Sequence, residues 1–487
     1  MNAPVIRSVT CFAAAVLVAG CAVGPDYRRP ALPAADAYLR GPLPATVGSH
    51  GDNQRLALST DDAGAWWQAF GSPPLDALVR RALAHNPSID GAQAALRVAQ
   101  ENLAAQRAAF LPNAQLGYSA SRQQNAVGTI SPTLASGQPM YTLHTAQLTV
   151  GYAPDVFGLN RRTVESLAAQ AQAQRLQLEA VRQALAANVV AAAIQEASLR
   201  AQIEATEGIV TDATRALALV RRQAELGGAS GLDVAAQETA LAQARSSLPV
   251  LQKQEEQNRD LLAVLAGEPP AQASDPPFAL DGLQLPREVP VALPATLVER
   301  RPDVRAAEAQ VHAASAQVGV AVASRFPQFS LSAQYGGSAT AFGRMFASGN
   351  TFWSLTGGVA QSVLDFGALK HRQRAAEAAL QQAVAQYRGA VLVAFQNVAD
   401  ALYALEADAR ATEAATAAAA AARRRTLELT RRQQQAGQVG GLAVLAAEQA
   451  WRQARIAAVQ MQAARYADTA ALYLALGGDW SDATPKP

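Results

Sequence analysis

Residues 114–121 and 147–152 alternate apolar and polar side chains with period two. Ala114, Leu116, Tyr118 and Ala120 fall on one side, with Gln115, Gly117, Ser119 and Ser121 on the other. Leu148, Val150 and Tyr152 then alternate with Gln147, Thr149 and Gly151. Each run reads as a strand with one apolar face, and the polar loop 124–140 between them makes a hairpin. The pattern returns as Phe329, Leu331, Ala333 and Tyr335, then Trp353, Leu355 and Val359. The rest is helical in character. No proline interrupts Gly158 to Gly227, so a helix is predicted over 160–226, about 100 Å long at 1.5 Å per residue. Residues 368–436 match it. Shorter helices are predicted over 75–85, 88–111, 231–266, 303–326 and 441–476. Rods of that length fit no globular core and must pack sideways on other helices.

The same unit occurs twice. Pro87 and Pro302 stand 215 apart, as do Pro112 and Pro327, and Phe157-Gly158 is echoed 209 later by Phe366-Gly367. Gly227, Gly231-Leu232, Glu238 and Gly267 recur at Gly437, Gly441-Leu442, Glu448 and Gly477, an offset of 210. A loop about six residues shorter in the second copy accounts for the change. The period is too long for a solenoid repeat and implies two pseudo-symmetric halves. In each half the two shorter helices together match the long one, so they can lie end to end alongside it. Pro249 falls inside 231–266 while its counterpart is Val459, which predicts a kink on one side only. The alanine-rich run 411–422 is flanked by charge without Gly or Pro and reads as ordinary helix.

The N-terminus divides from the rest. Arg7 precedes an apolar run from Val9 to Ala19, too short to span a bilayer and typical of a signal peptide. It ends Leu17-Val18-Ala19-Gly20-Cys21, like a bacterial lipobox, so Cys21 is the predicted lipidation site and first mature residue. Ala22 in place of aspartate points to the outer membrane. The organisation is therefore a signal peptide over 1–20, a lipidated tether with little core over 21–65 and a first repeat over 66–277. An inter-repeat segment over 278–300, a second repeat over 301–478 and a tail over 479–487 follow.

Composition narrows the function. Half the residues are apolar, yet only 16% are charged and 6% aromatic, and net charge is +2. Scattered arginines on a nearly neutral chain give no footprint for nucleic acid. The five histidines include no HExxH pair, and no GxSxG or P-loop motif occurs. The expectation is no enzyme, no metal and no cofactor beyond the lipid. Four strands cannot close a membrane barrel, since the smallest have about eight; open edges are not tolerated in lipid, so the chain must oligomerise. Tyr118, Tyr152, Tyr335 and Trp353 suit an aromatic girdle.

These residues resemble a known family. CAVGPDYRRP (21–30), WWQAF (66–70), LDALVRRALAHNPSI (75–89), the FLP and RFP helix ends and the two Phe-Gly pairs are similar to the outer-membrane factors of tripartite efflux systems. The likeness is to the TolC/OprM-like proteins, in the NodT lipoprotein branch, and covers nearly the whole mature chain. It implies a mainly α fold with membrane β: a homotrimer whose four strands per chain make a 12-stranded outer-membrane β-barrel above a long α-helical barrel. Residues 66–85, 268–300 and the C-terminal end would form an equatorial belt. It implies a passive conduit that works with a periplasmic adaptor and an inner-membrane pump of RND or related type.

The adaptor would meet the helix tips, which include Leu226, Gly227, Gly228 and Ser230 in one half and Gly437, Val439, Gly440 and Gly441 in the other. The glycines equally serve a tight helix reversal. Some relatives constrict the entrance with aspartates after the second tip, but Ala443 and Ala446 stand there. Asp233 could face the pore or cap its helix, and Leu442 and Leu445 offer an apolar constriction instead. A competing reading is a periplasmic adaptor or coiled-coil scaffold lipoprotein without a pore. An adaptor, however, needs one helical hairpin between β-rich modules, not two copies each with an amphipathic strand pair.

Overall fold

The computed structural model describes residues 22–31, 37–48, 53–58, 65–124, 140–272, 276–291 and 294–478; the signal segment, Cys21 and the tail from 479 lie outside them. In chain order the strands are β1 (Thr46–Val47), β2 (Gln54–Leu58), β3 (Asn113–Gln124), β4 (Met140–Tyr152), β5 (Glu288–Val291), β6 (Gln328–Ala339) and β7 (Thr351–Ala360). The first five helices are α1 (Pro73–His85), α2 (Pro87–Arg107), α3 (Leu159–Glu225), α4 (Gly231–Leu265) and α5 (Pro294–Arg300). They are followed by α6 (Pro302–Ala323), α7 (Ala368–Ala421), α8 (Glu428–Gln435) and α9 (Gly441–Ala475). The repeated prolines do the work their spacing implied. Pro87 and Pro302 each open a helix, where the missing N–H costs nothing, and Pro112 and Pro327 each stand immediately before a strand.

The chain forms two compact units. The first contains 22–31, 95–124, 140–174 and 307–387 of the described residues. Its centre is an antiparallel sheet in the order β3-β4-β6-β7. The two expected hairpins are present, and β4 pairs with β6 to join them. From the start of β3 to the start of α3 is 46 positions, but from β6 to α7 it is 40, which is the predicted shortening by six.

The second unit contains 37–48, 53–58, 65–94, 175–272, 276–291, 294–306 and 388–478 of the described residues. A 3-10 helix, Trp66–Phe70, drives Trp66 and Phe70 into its core, both essentially fully buried. Trp66 stacks on Tyr473 at 5.5 Å, and Phe70 packs 6.1 Å from Tyr466. The Tyr466 and Tyr473 hydroxyls donate to the Leu283 and Glu288 carbonyls. Trp66, Phe70, Tyr466 and Tyr473 thus share one core with the segment around Leu283 and Glu288. The segment read as a tether joins them: β1 pairs with β2, and β2 pairs in parallel with β5. Gln54, fully buried, explains the capture. Its amide bonds the Thr469 hydroxyl at 3.2 Å and accepts from Arg465 at 3.2 Å, so a polar side chain finds partners inside.

α4 continues through Pro249; the Ser246 and Ser247 hydroxyls bond carbonyls one turn back, at 2.9 and 2.8 Å. The helices depart from expectation in the other half, where a π-helical segment, Ala422–Leu427, separates α7 from α8. Helix over 368–435 is apolar enough to span a bilayer by composition, but a span needs about 20 residues and this stretch has 68. Its hydropathy comes largely from alanine, which suits close lateral packing.

Asp408 on α7 lies beside Asp468 on α9, and burial, then the neighbouring carboxyl, push Asp408 up to about 7, against the opposing pull of Arg465. A raised folded-state pKa contributes stability that is fully present below the ordinary aspartate range and is lost as pH rises through 7. Asp408→Asn is therefore expected to flatten the fall in thermal midpoint between pH 5 and pH 8 and to raise the midpoint at pH 8. Phe70→Ala is expected to cost about 3–5 kcal/mol in denaturant unfolding of the core around Trp66.

Candidate functional site

The sheet of the first unit has one chemical face. Register places Leu116, Leu148, Tyr335 and Trp353 in a single row across all four strands. Ala114, Val150, Ala333 and Leu355 form the next row on the same side, followed by Tyr152 and Leu331. The opposite face carries Gln115, Ser119, Thr149, Gln147, Gln334, Ser332 and Ser354. Most of these apolar residues are exposed, including Leu116 at 81% and Trp353 at 77%, while Val150 and Ala333 are half-buried. Of the four aromatics, Tyr335 and Trp353 are direct neighbours. Tyr118 lies one row further from the helices, hydrogen-bonded to His144 at 2.9 Å, and Tyr152 lies at the helix end.

Where the sheet meets α3, the chain's own N-terminal segment is clasped. Val23 donates its N–H to the Phe157 carbonyl at 3.2 Å. Arg162, with a side chain only 6% exposed, pairs with Asp26 at 2.8 Å and Glu165 at 2.7 Å. It also donates to the carbonyls of Val23 and Gly24 at 3.3 and 3.4 Å. A buried guanidinium is costly unless its donors are matched; here charge and carbonyls match them. Tyr27 stacks on His312 at 4.4 Å and donates to Glu308 at 3.1 Å, and Arg29 pairs with Glu308 at 3.0 Å. Gly158, at φ +81°, makes room: a Cβ there would stand 2.8 Å from the Ala22 Cα. The sequence reading missed this clasp. Its one visible trace was the CAVGPDYRRP stretch, which a single chain gives no reason to join to Arg162. Cys21 itself lies outside the described residues, one bond before Ala22.

The two helix reversals are near-copies. Gly227 and Gly437 adopt φ +76° and +74°. Gly228 N–H bonds the Gln223 carbonyl at 2.7 Å, and Gln438 N–H bonds the Gln433 carbonyl at 2.9 Å, the closure of a Schellman cap. Behind each tip the same ion pair recurs 210 residues on, Arg221–Glu238 at 2.6 Å and Arg431–Glu448 at 2.5 Å. The small apolar clusters recur too: Leu217 and Val234 around Leu241 become Leu427 and Val444 around Trp451. Leu226, Gly227, Gly228, Ser230, Gly437, Gly440 and Asp233 are exposed; Val439, Gly441, Leu442 and Leu445 are half-buried.

Asp233 closes a capping box: it accepts from the Ser230 N–H at 2.8 Å and hydroxyl at 2.7 Å, while its own N–H bonds the Ser230 Oγ. These hydrogen bonds hold its carboxyl below the ordinary range. The second tip has Gly440 in the cap position and no side-chain cap. Its side instead carries the π-segment, where Arg423 lies over Trp451 at 5.9 Å. Arg452, on the same ring at 5.7 Å, bonds the buried Asp212 at 2.7 Å. Among the described residues no group of three His, Cys, Asp or Glu is placed to hold a metal ion.

Comparison with known proteins fits this arrangement. The family model described as "Outer membrane efflux protein" matches residues 78–268 and 293–478, one match on each half. The pyoverdine export outer membrane protein OpmQ of Pseudomonas putida is 32% identical over 424 residues, 86% of this chain and 89% of its own. The toluene efflux pump outer membrane protein TtgC of Pseudomonas putida is 30% identical, covering 96% of this chain and 95% of its own. The solved outer-membrane channel OprN superposes with a TM-score of 0.81 at 26% identity, over 94% of this chain and all of its own. The open state of the Neisseria gonorrhoeae MtrE outer membrane channel does so with 0.80 at 25%, over 94% and 98%. Matched in both halves and along nearly its whole length, the chain belongs to the outer membrane efflux protein family and is an outer-membrane channel for efflux.

Proposed function

We propose that this channel works as a homotrimer and forms the passive outer conduit of a tripartite pump. Twelve strands would cross the outer membrane, while a periplasmic adaptor and an RND-type inner-membrane pump supply the contact and the driving force. The observation that carries the reading is the four-stranded sheet. One of its faces carries apolar rows across all four strands, and among the described residues β3 and β7 pair on one side only. Lipid cannot satisfy such edges, so copies must close the ring, with Tyr118, Tyr152, Tyr335 and Trp353 contributing to its aromatic girdle.

Cys21 carries the lipid in this reading. The clasp on Arg162 supports it, because it holds Ala22 beside the end of the sheet. The exposed reversals around Gly227-Gly228 and Gly437-Gly440 are the surfaces offered to the adaptor. Relatives of similar identity are named for pyoverdine export and toluene efflux. Chemically different cargo on one scaffold fits a duct that leaves selection to its pump.

For the entrance, the capping role of Asp233 favours an apolar constriction by Leu442 and Leu445 over a ring of carboxylates. In planar bilayers Leu442→Ala with Leu445→Ala is expected to raise single-channel conductance several-fold, while Asp233→Ala leaves the response to added divalent cations unchanged. A cation block abolished by Asp233→Ala would reinstate the carboxylate ring. Cys21→Ser is expected to abolish incorporation of labelled palmitate; label retained in that variant would exclude Cys21 as the acylated residue.

A further inference from the structure

The charges of the strand region are of one sign. Residues 113–152 and 328–360, which hold both hairpins, contain two arginines, Arg122 and Arg344, and no lysine, aspartate or glutamate, although the chain as a whole has 39 acidic residues to 41 basic ones. Arg122 lies on the side of the sheet that carries the apolar rows, opposite Thr142 and beyond the row of Ala120, His144 and Ala339. Its guanidinium reaches the Met140 sulfur at 3.5 Å. Among the described residues neither arginine pairs with a carboxylate. Asn113 and Arg122 are nine positions apart on β3, about 30 Å of strand. At the tilt of barrel strands this is a depth of about 21–25 Å, close to the height of the apolar band of an outer-membrane barrel. Arg122 therefore stands at the edge of that band remote from the helices.

The connection from β6 to β7 is laid over the same side. A Cβ at Gly337, two residues beyond Tyr335, would collide with the Met345 carbonyl and stand 3.0 Å from the Phe346 ring. Phe342 stands edge-on to Tyr118 at 5.7 Å and to His144 at 6.1 Å. Phe342 thereby joins the two arginines: it is two residues from Arg344, and the row of His144 adjoins that of Arg122. The connection is fixed by its own bonds. The Ser338 N–H bonds the Asn350 carbonyl at 2.9 Å, and the Asn350 side-chain amide donates to the Arg344 carbonyl at 2.7 Å. Yet Phe342 and Phe346 remain 61% and 60% exposed, and Arg344 between them is exposed too. A loop that met only water would gain by turning such rings inward. Exposed rings beside a guanidinium without a counter-charge suit a surroundings that is apolar at one level and anionic at the next.

Building on the reading that the apolar side of the sheet meets membrane lipid, with the helices in the periplasm, we propose that Arg122, Arg344, Phe342 and Phe346 form a site for a phosphorylated glycolipid of the outer leaflet. The guanidiniums take its phosphates through charge-assisted, bidentate hydrogen bonds, and the two phenylalanine rings pack on its acyl chains. The absence of any carboxylate from the strand region selects an anion, and the position of the arginines on the lipid side of the sheet selects a lipid over a free anion.

The test uses the full chain extracted from outer membranes in mild detergent and washed free of lipid. Bis-phosphorylated lipid A is the probe, and native mass spectrometry counts what is bound. The parent protein should hold lipid A. Arg122→Gln with Arg344→Gln should weaken that binding about tenfold or more, and Arg122→Lys with Arg344→Lys should weaken it less. All of these side chains are exposed, so the thermal midpoint should stay in place. Undiminished binding by the glutamine variant overturns the role of the arginines. Equal binding of dephosphorylated lipid A or of phosphatidylglycerol overturns the phosphorylated glycolipid as occupant, and displacement of lipid A by inorganic phosphate overturns a lipid site in favour of a free-anion one. Quenching of Trp353 fluorescence by phospholipid with brominated acyl chains, read as the difference from Trp353→Phe, reports the lipid-facing side separately. No quenching overturns that reading and the site with it; quenching without lipid A binding overturns the site alone.

Discussion

A backbone N–H facing hydrocarbon has no water to bond, and this single constraint organises the chain. It requires that strands in the membrane find partners along both edges. Four strands with one apolar face meet that requirement internally at three seams and leave it unmet at β3 and β7. The helices opened by Pro87 and Pro302 lead into its strands, and the long helices begin where its strands end.

The parts visible in the sequence were those in which one local rule decides. Alternation located the strands because burial on one face has period two, and proline located the helix starts because its missing N–H is tolerated only there. The reversals at Gly227 and Gly437 were visible because a left-handed residue favours glycine. What stayed hidden depends on distant partners. β2 finds β5 more than two hundred residues away, and the segment containing it looked like a tether because its own composition gives it no core. Arg162 is one arginine among many until Asp26 and two carbonyls are folded against it.

The π-segment illustrates a different limit. Nothing in Ala422–Leu427 breaks a helix by propensity, yet a π-helical turn interrupts the helix there, while α4 continues through Pro249. At the tips the sequence left Asp233 between two roles, and its bonds to Ser230 show that it fills the capping one. The second tip lacks such a serine, and the tips differ accordingly: a capped helix start on one side, and a cation-flanked Trp451 beside a wound-out turn on the other.

The N-terminal clasp also bears on descent. A duplicated unit has two equivalent helix starts, at Gly158 and Gly367, but one chain has only one beginning to lay against them. The start at Gly158 receives it, and the start at Gly367 is left bare beside the exposed Phe366. Duplication therefore left two equivalent helix starts in different surroundings: a change at Phe157 acts on its packing against Phe326 and Phe329, whereas its counterpart Phe366 is exposed within the chain.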